Sequence, residues 1–158
     1  PEVIEAEYDY WKKAGADSSI FYCKHNVFEF MERTKIIFDR VTVYRFLEHV
    51  PFTNVEYFIY LLSTITQPGA IIDIIVPDYD VLAKMILKEK IDKNFPANNI
   101  LITTEVLNQP PDSHASVWTE KRAKYFFELE KRFKVTEIYK NYEFDGRNIY
   151  LRFFAERI

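Results

Sequence analysis

Glycine is nearly missing from this chain: Gly15, Gly69 and Gly146 are the three it has in 158 residues. They lie far apart, so no glycine-rich loop, the bare backbone that lets a nucleotide cofactor come close, can be assembled from them. Cysteine is scarcer still. A lone Cys23 forms no internal disulfide and no thiolate cluster for zinc, and points to a reducing, cytoplasmic compartment. Cys23 and His25 alternate along a short apolar run, which favours a buried structural thiol over a nucleophile. No two of the three histidines have metal-ligand spacing, so no metal is expected. Neither charge sign dominates: 24 acidic against 21 basic residues give a net charge of -3, with no electrostatic case for nucleic acid or an anionic membrane. Long apolar runs are missing too. The longest candidate, residues 70–76, is short and interrupted by Asp73, so neither a membrane span nor a secretory leader is expected.

What the chain does have is apolar and aromatic bulk. Hydrophobic residues make up 48% and aromatics 17%, enough for one domain, residues 1–158, with one sizeable core. A helix over 8–13 stopped by Gly15, and a strand over 20–23, open the pattern. A second strand is predicted over 38–46, with β-branched Val41, Thr42 and Val43 at its centre. Thr53-Asn54-Val55-Glu56 reads as a capping box with Phe52 and Tyr57 as its staple. Val55, Phe58, Ile59, Leu62 and Ile65 then repeat at helical spacing. Pro68-Gly69 separates this helix from residues 70–76, a nearly uninterrupted apolar run suited to a central parallel strand. A helix over 81–90, an irregular stretch over 94–112 and a helix capped by Thr119 follow. The end is a predicted hairpin, 133–144 and 148–155, folded at Asp145-Gly146. Asp73 is expected near the solvent-facing end of its strand, with Arg147 and Arg152 as solvated charges.

This order, parallel strand-helix units finished by an antiparallel hairpin, resembles the carboxyl-terminal portion of class I S-adenosylmethionine-dependent methyltransferases. Phe38-Asp39-Arg40-Val41 followed by Leu47-Glu48-His49-Val50 is similar to that family's fourth strand and the turn beyond it. Gln67-Pro68-Gly69-Ala70 resembles the turn before its fifth strand. His114 through Trp118-Thr119, then Leu129-Glu130 and Phe133, resembles the helix and turn before the closing hairpin. The implied fold is α/β: a Rossmann-like, mostly parallel methyltransferase sheet closed by an antiparallel hairpin, with its first strands absent from this stretch.

The resemblance also implies roles. Asn26 and Val27 would face the adenine of S-adenosylmethionine, and Tyr44 and Arg45 its methionine end. Glu48, Tyr79 and Trp118 would wall the acceptor pocket, and His49 or His114 would serve as base. Plainer readings stand beside these: Glu48-His49 as a surface pair opening a loop, His114 as a loop or capping residue. The family's glycine loop and its first two strands have no counterpart here. An amino-terminal segment, a partner chain completing the sheet, or a rearranged sheet would each answer that gap, and S-adenosylmethionine is expected only with the first. The acceptor itself is left open, with a small molecule favoured over nucleic acid and no membrane partner expected. The competing class is a methyltransferase-like module without catalysis that binds a partner.

Overall fold

A computed structural model describes residues 26–87, 114–144 and 146–158. The expectations for 8–13, 20–23, Cys23, His25, 94–112 and Asp145 lie outside them. The chain divides into two compact units, Pro1–Thr34 and Lys35–Ile158. Of the first, the described part is helix α1, Val27–Arg33, whose amino end is capped by Asn26: its side-chain oxygen accepts from the Phe28 amide at 2.9 Å.

The second unit holds one four-stranded sheet in the order β1-β2-β4-β3. Strand β1 is Phe38–Tyr44 and β2 is Thr66–Pro77; they run parallel, with helix α2, Val55–Thr64, between them in sequence. Strands β3, Phe133–Phe144, and β4, Arg147–Arg157, form the closing hairpin, and β4 also pairs antiparallel with β2. The expected mostly parallel sheet is thus corrected. Among the described residues one pairing is parallel and two are antiparallel, because the hairpin inserts its return strand beside β2. The turn is tight: Phe144 pairs with Arg147, and Gly146 takes φ +78°, the left-handed conformation that favours glycine.

Strand β2 is central, and its burial shows it. Residues 72–77 are buried on both faces, as flanking strands and two covered faces require. The strand begins earlier than expected and contains Pro68 and Gly69. The register jumps from Phe38↔Thr66 to Arg40↔Ile71, so Gln67-Pro68-Gly69 bulge out of the ladder, with Gly69 at φ +82°. Helix α2 buries Val55, Phe58, Ile59 and Leu62, and Ile65 at its carboxyl cap is buried with them, the face its periodicity predicts. Its start departs from the capping box. A 3-10 turn, Phe52–Asn54, leads in, and Thr53 donates to the Asn54 side chain at 3.3 Å instead of capping. Phe52 packs edge-on against Phe126 rather than stapling to Tyr57, which stacks on Tyr60. Helix α3, Tyr79–Leu87, starts two residues before its predicted position, because the Asp78 carbonyl accepts from Val81 and Leu82 and its Oδ1 from Asp80. Helix α4, Glu120–Glu128, is capped by Thr119 as expected. Phe127 on it packs edge-on against Phe133 and Phe153, closing one face of the sheet.

The other face carries Asp73, and here the expectation is overturned. Asp73 is fully buried at mid-strand. Arg152 grips its two oxygens through Nε at 2.9 Å and Nη2 at 2.7 Å, and Tyr44 donates to Oδ2 at 2.8 Å. Burial alone would push the carboxyl up; the Arg152 and Tyr44 hydrogen bonds and the charges of Arg152 and Arg40 outweigh it and hold it below its ordinary range. Arg152 is therefore no solvated charge. It is sandwiched over the Tyr142 and Phe154 rings and donates to the Tyr142 hydroxyl at 2.7 Å.

Candidate functional site

Strands β1 and β2 are parallel, so both release the chain at the same edge of the sheet, where ligands bind in open α/β folds. The chain leaves β1 through Arg45, a non-glycine residue at φ +49° whose amide donates to the Ile75 carbonyl at 2.8 Å. That reversal turns it straight into a 3-10 turn, Leu47–His49. It leaves β2 through buried Asp78 into Tyr79, at the start of α3.

A third segment, residues 114–118, is laced across both exits. The Ala115 and Ser116 amides donate to the Glu48 carbonyl at 2.7 and 2.9 Å, and the Tyr79 amide donates to the Trp118 carbonyl at 3.0 Å. The Ser116 hydroxyl donates to the Leu47 carbonyl at 2.9 Å and accepts from the Trp118 indole at 2.9 Å. These bonds bring His114 against the turn. The His49 and His114 rings meet edge-on, 5.0 Å between centroids. The Tyr79 hydroxyl lies 3.2 Å from His114 Nδ1.

Electrostatics at this cluster is dominated by burial. Glu48 is 0% exposed, and neither of its carboxylate oxygens has a hydrogen-bond partner among the described residues. Burial pushes its carboxyl up to about 7, offset only in part by its own backbone amide, which is near without bonding geometry, and by Arg45. His114 moves the opposite way. Burial, then the positive influence of His49 and Arg45, pulls it down to about 4, so its imidazole is neutral at neutral pH. Burial and then Glu48 push the Tyr79 phenol up to about 12, so it keeps its proton.

Of the residues predicted from sequence, Glu48, His49, Tyr79 and His114 come together here. Arg45 stands at the same strand end, within electrostatic reach of Glu48 and His114. The other four are placed differently. Trp118 is fully enclosed beside Phe126, so it is core and does not wall a pocket. Tyr44 has its hydroxyl committed to Asp73. Asn26 and Val27 cap and open α1 in the first unit, and the Asn26 side-chain oxygen is spent on the Phe28 amide. A grouping that sequence spacing did not indicate is also present. One ligand atom from each of Glu48, His49 and His114 can be chosen so that all lie within 4.8 Å of one another. Residues 49 and 114 are far apart in sequence, so spacing alone could not pair them.

Ser116 was missed. A small hydroxyl residue two before a tryptophan carries no sequence signal, yet it ties the β1 exit to the histidine segment. Ser116→Ala is expected to cost about 2 kcal/mol, because it leaves a buried indole N–H without its acceptor. Urea denaturation of the variant against wild type measures this.

No protein-family model matches the chain, and no curated protein matches its sequence. Among solved structures, it is similar to a crystal structure described as a SAM-dependent methyltransferase from Methanosarcina mazei. That likeness has a TM-score of 0.53 at 19% identity, and covers 81% of this chain and 64% of that one. The fold is therefore a class I methyltransferase-like α/β fold, and the chain spans a little under two thirds of the length of the structure it matches. No described helix is long and apolar enough to cross a membrane.

Proposed function

We propose that this chain forms the acceptor end of an S-adenosylmethionine-dependent methyltransferase acting on a small molecule with a protic nucleophile. One observation carries the reading: Glu48, His49, His114 and Tyr79, drawn from three separate segments, converge where the parallel strands β1 and β2 end.

The described residues fit the acceptor better than the cofactor. Their two glycines, Gly69 and Gly146, are both spent in turns of the sheet, and no bare backbone cradle is formed. A segment bearing that cradle would lie beside β1, whose outer edge has no strand partner among the described residues. Within the second unit, Arg45 and the ring of Tyr44 remain candidates for the cofactor side. When bound, S-adenosylmethionine supplies an electrophilic methyl group. The acceptor's lone pair forms the new bond to the methyl carbon while the carbon–sulfur bond breaks, its electron pair staying on sulfur. The acceptor's proton leaves toward the site. What these residues contribute is alignment and exclusion of water, worth up to roughly 7–11 kcal/mol in favourable cases.

The test is turnover. The protein, expressed at its full natural length, is incubated with S-adenosylmethionine and a panel of small hydroxyl, amine and thiol acceptors, and S-adenosylhomocysteine is measured. Acceptor-dependent formation supports the reading. A protein that binds the cofactor but transfers to no acceptor of the panel or of a small-molecule extract overturns it, and favours a module without catalysis.

A further inference from the structure

We propose that Glu48, His49 and His114 bind a divalent transition-metal ion such as Zn²⁺, with one coordination position left open toward the acceptor. The inference rests on the reading of this site as the acceptor end.

The donor set comes first. Two imidazoles and a carboxylate suit zinc and its first-row neighbours, and three protein ligands with an open position is the pattern of catalytic rather than structural sites. The ligand atoms lie within 4.8 Å of one another. Neighbouring ligands of a tetrahedral ion with bonds of about 2.0–2.1 Å sit about 3.4 Å apart, so a small inward rotation of the side chains closes the shell.

The second observation is independent of that clustering. Glu48 is wholly enclosed, and both its oxygens lack a hydrogen-bond partner among the described residues. A carboxylate so placed is expensive to bury, by several kcal/mol, unless a cation meets it. Arg45 is within electrostatic reach of it but hydrogen-bonds neither oxygen, whereas two imidazoles face the same space.

The surroundings are those of a metal site as well. With His114 Nδ1–H donating to the Tyr79 hydroxyl oxygen, 3.2 Å away, Nε2 carries the lone pair and the ring is held by an outer partner. The amides of Ala115 and Ser116, next to one ligand, bond the carbonyl of Glu48, another ligand, so the two ligand-bearing segments are fixed to each other before any ion arrives. Such an ion would lower the proton affinity of a coordinated hydroxyl or thiol, which favours alcohols, phenols and thiols over amines as acceptors.

The experiment needs neither cofactor nor acceptor. Protein freed of metal with a chelator is titrated with Zn²⁺ by calorimetry and with Co²⁺ by visible absorption. One Zn²⁺ per chain at micromolar affinity or tighter is expected, with Co²⁺ giving the absorption bands of a low-coordinate nitrogen–oxygen site. Glu48→Gln, His49→Ala and His114→Ala should each weaken Zn²⁺ binding at least 100-fold, while Glu130→Gln, a change at an exposed residue outside the cluster, leaves it unchanged. Circular dichroism of the metal-free variants separates lost ligands from lost fold, and His114→Gln, which keeps the volume, replaces any variant that unfolds. Binding weaker than about 1 mM, or equal binding by wild type and the His49→Ala/His114→Ala double variant, overturns the proposal. Methyl transfer by a protein that binds no Zn²⁺ would sink this inference and leave the proposed function standing; Zn²⁺ binding without transfer would do the reverse.

Discussion

Glu48→Ala and His114→Ala are each expected to lower kcat for methyl transfer by about 100-fold or more, with the KM for S-adenosylmethionine changed by less than about threefold. The asymmetry follows from where the two residues sit. Both lie in the cluster beyond the ends of β1 and β2, held by the 114–118 segment, and they touch each other's surroundings rather than any cofactor cradle. Removing either one takes away a group that would face the acceptor's departing proton or hold it in line, and such groups contribute about 10²–10⁴-fold. On the proposed reading the cofactor is held by backbone elsewhere, and its affinity should not follow. Steady-state kinetics with each substrate varied in turn checks the split. A parallel rise in the cofactor's KM would move the site to the cofactor side, and unchanged kcat would make Glu48-His49 the loop-opening pair of the plainer reading.

Asp73→Asn is expected to destabilise the protein by about 3 kcal/mol, lowering Tm by roughly 6–12 °C. The aspartate's side chain is 0% exposed and Arg152's is 23% exposed, so neutralising one partner strands a largely buried guanidinium. The remaining solvent contact of Arg152 places the expected effect toward the lower end for buried pairs. Replacing both, Asp73→Leu with Arg152→Met, should recover most of the loss, because an apolar pair carries no desolvation penalty. Acidity gives a second check. The folded carboxyl sits below its unfolded value, so its stabilisation is complete above about pH 4 and is lost as pH falls through the folded value. Wild type and Asp73→Asn should therefore differ clearly in urea midpoint at pH 7, and the gap should shrink below about pH 4.

These two effects come from opposite kinds of legibility. The strand-helix-strand unit, the buried face of α2 and the closing hairpin could be read because each is written locally: apolar spacing, a proline-glycine break, Asp145-Gly146 between two runs. The site was half readable. Glu48 and His49 are adjacent and so visible as a pair, but His114 and Tyr79 join them only through contacts between segments distant in sequence. Asp73 shows the limit best. A lone acid in an apolar run signals an exception, yet its partner Arg152 sits 79 residues away, on a strand brought beside it by antiparallel pairing. Trp118 fails in the opposite direction. Its position in a family-like motif invited a pocket role, whereas Ser116 and Phe126 enclose it in the core. The helix start at 55 departed from its capping box because Phe52 finds a better neighbour in Phe126, a tertiary contact overriding a local one.

Every role proposed for these residues requires that the protein use S-adenosylmethionine. Calorimetric titration of the protein, at its full natural length, with S-adenosylhomocysteine tests that claim most directly. Saturable binding at one per chain, retained in Glu48→Ala and His114→Ala, is the predicted result. No saturable binding up to millimolar concentration by folded wild-type protein would contradict it.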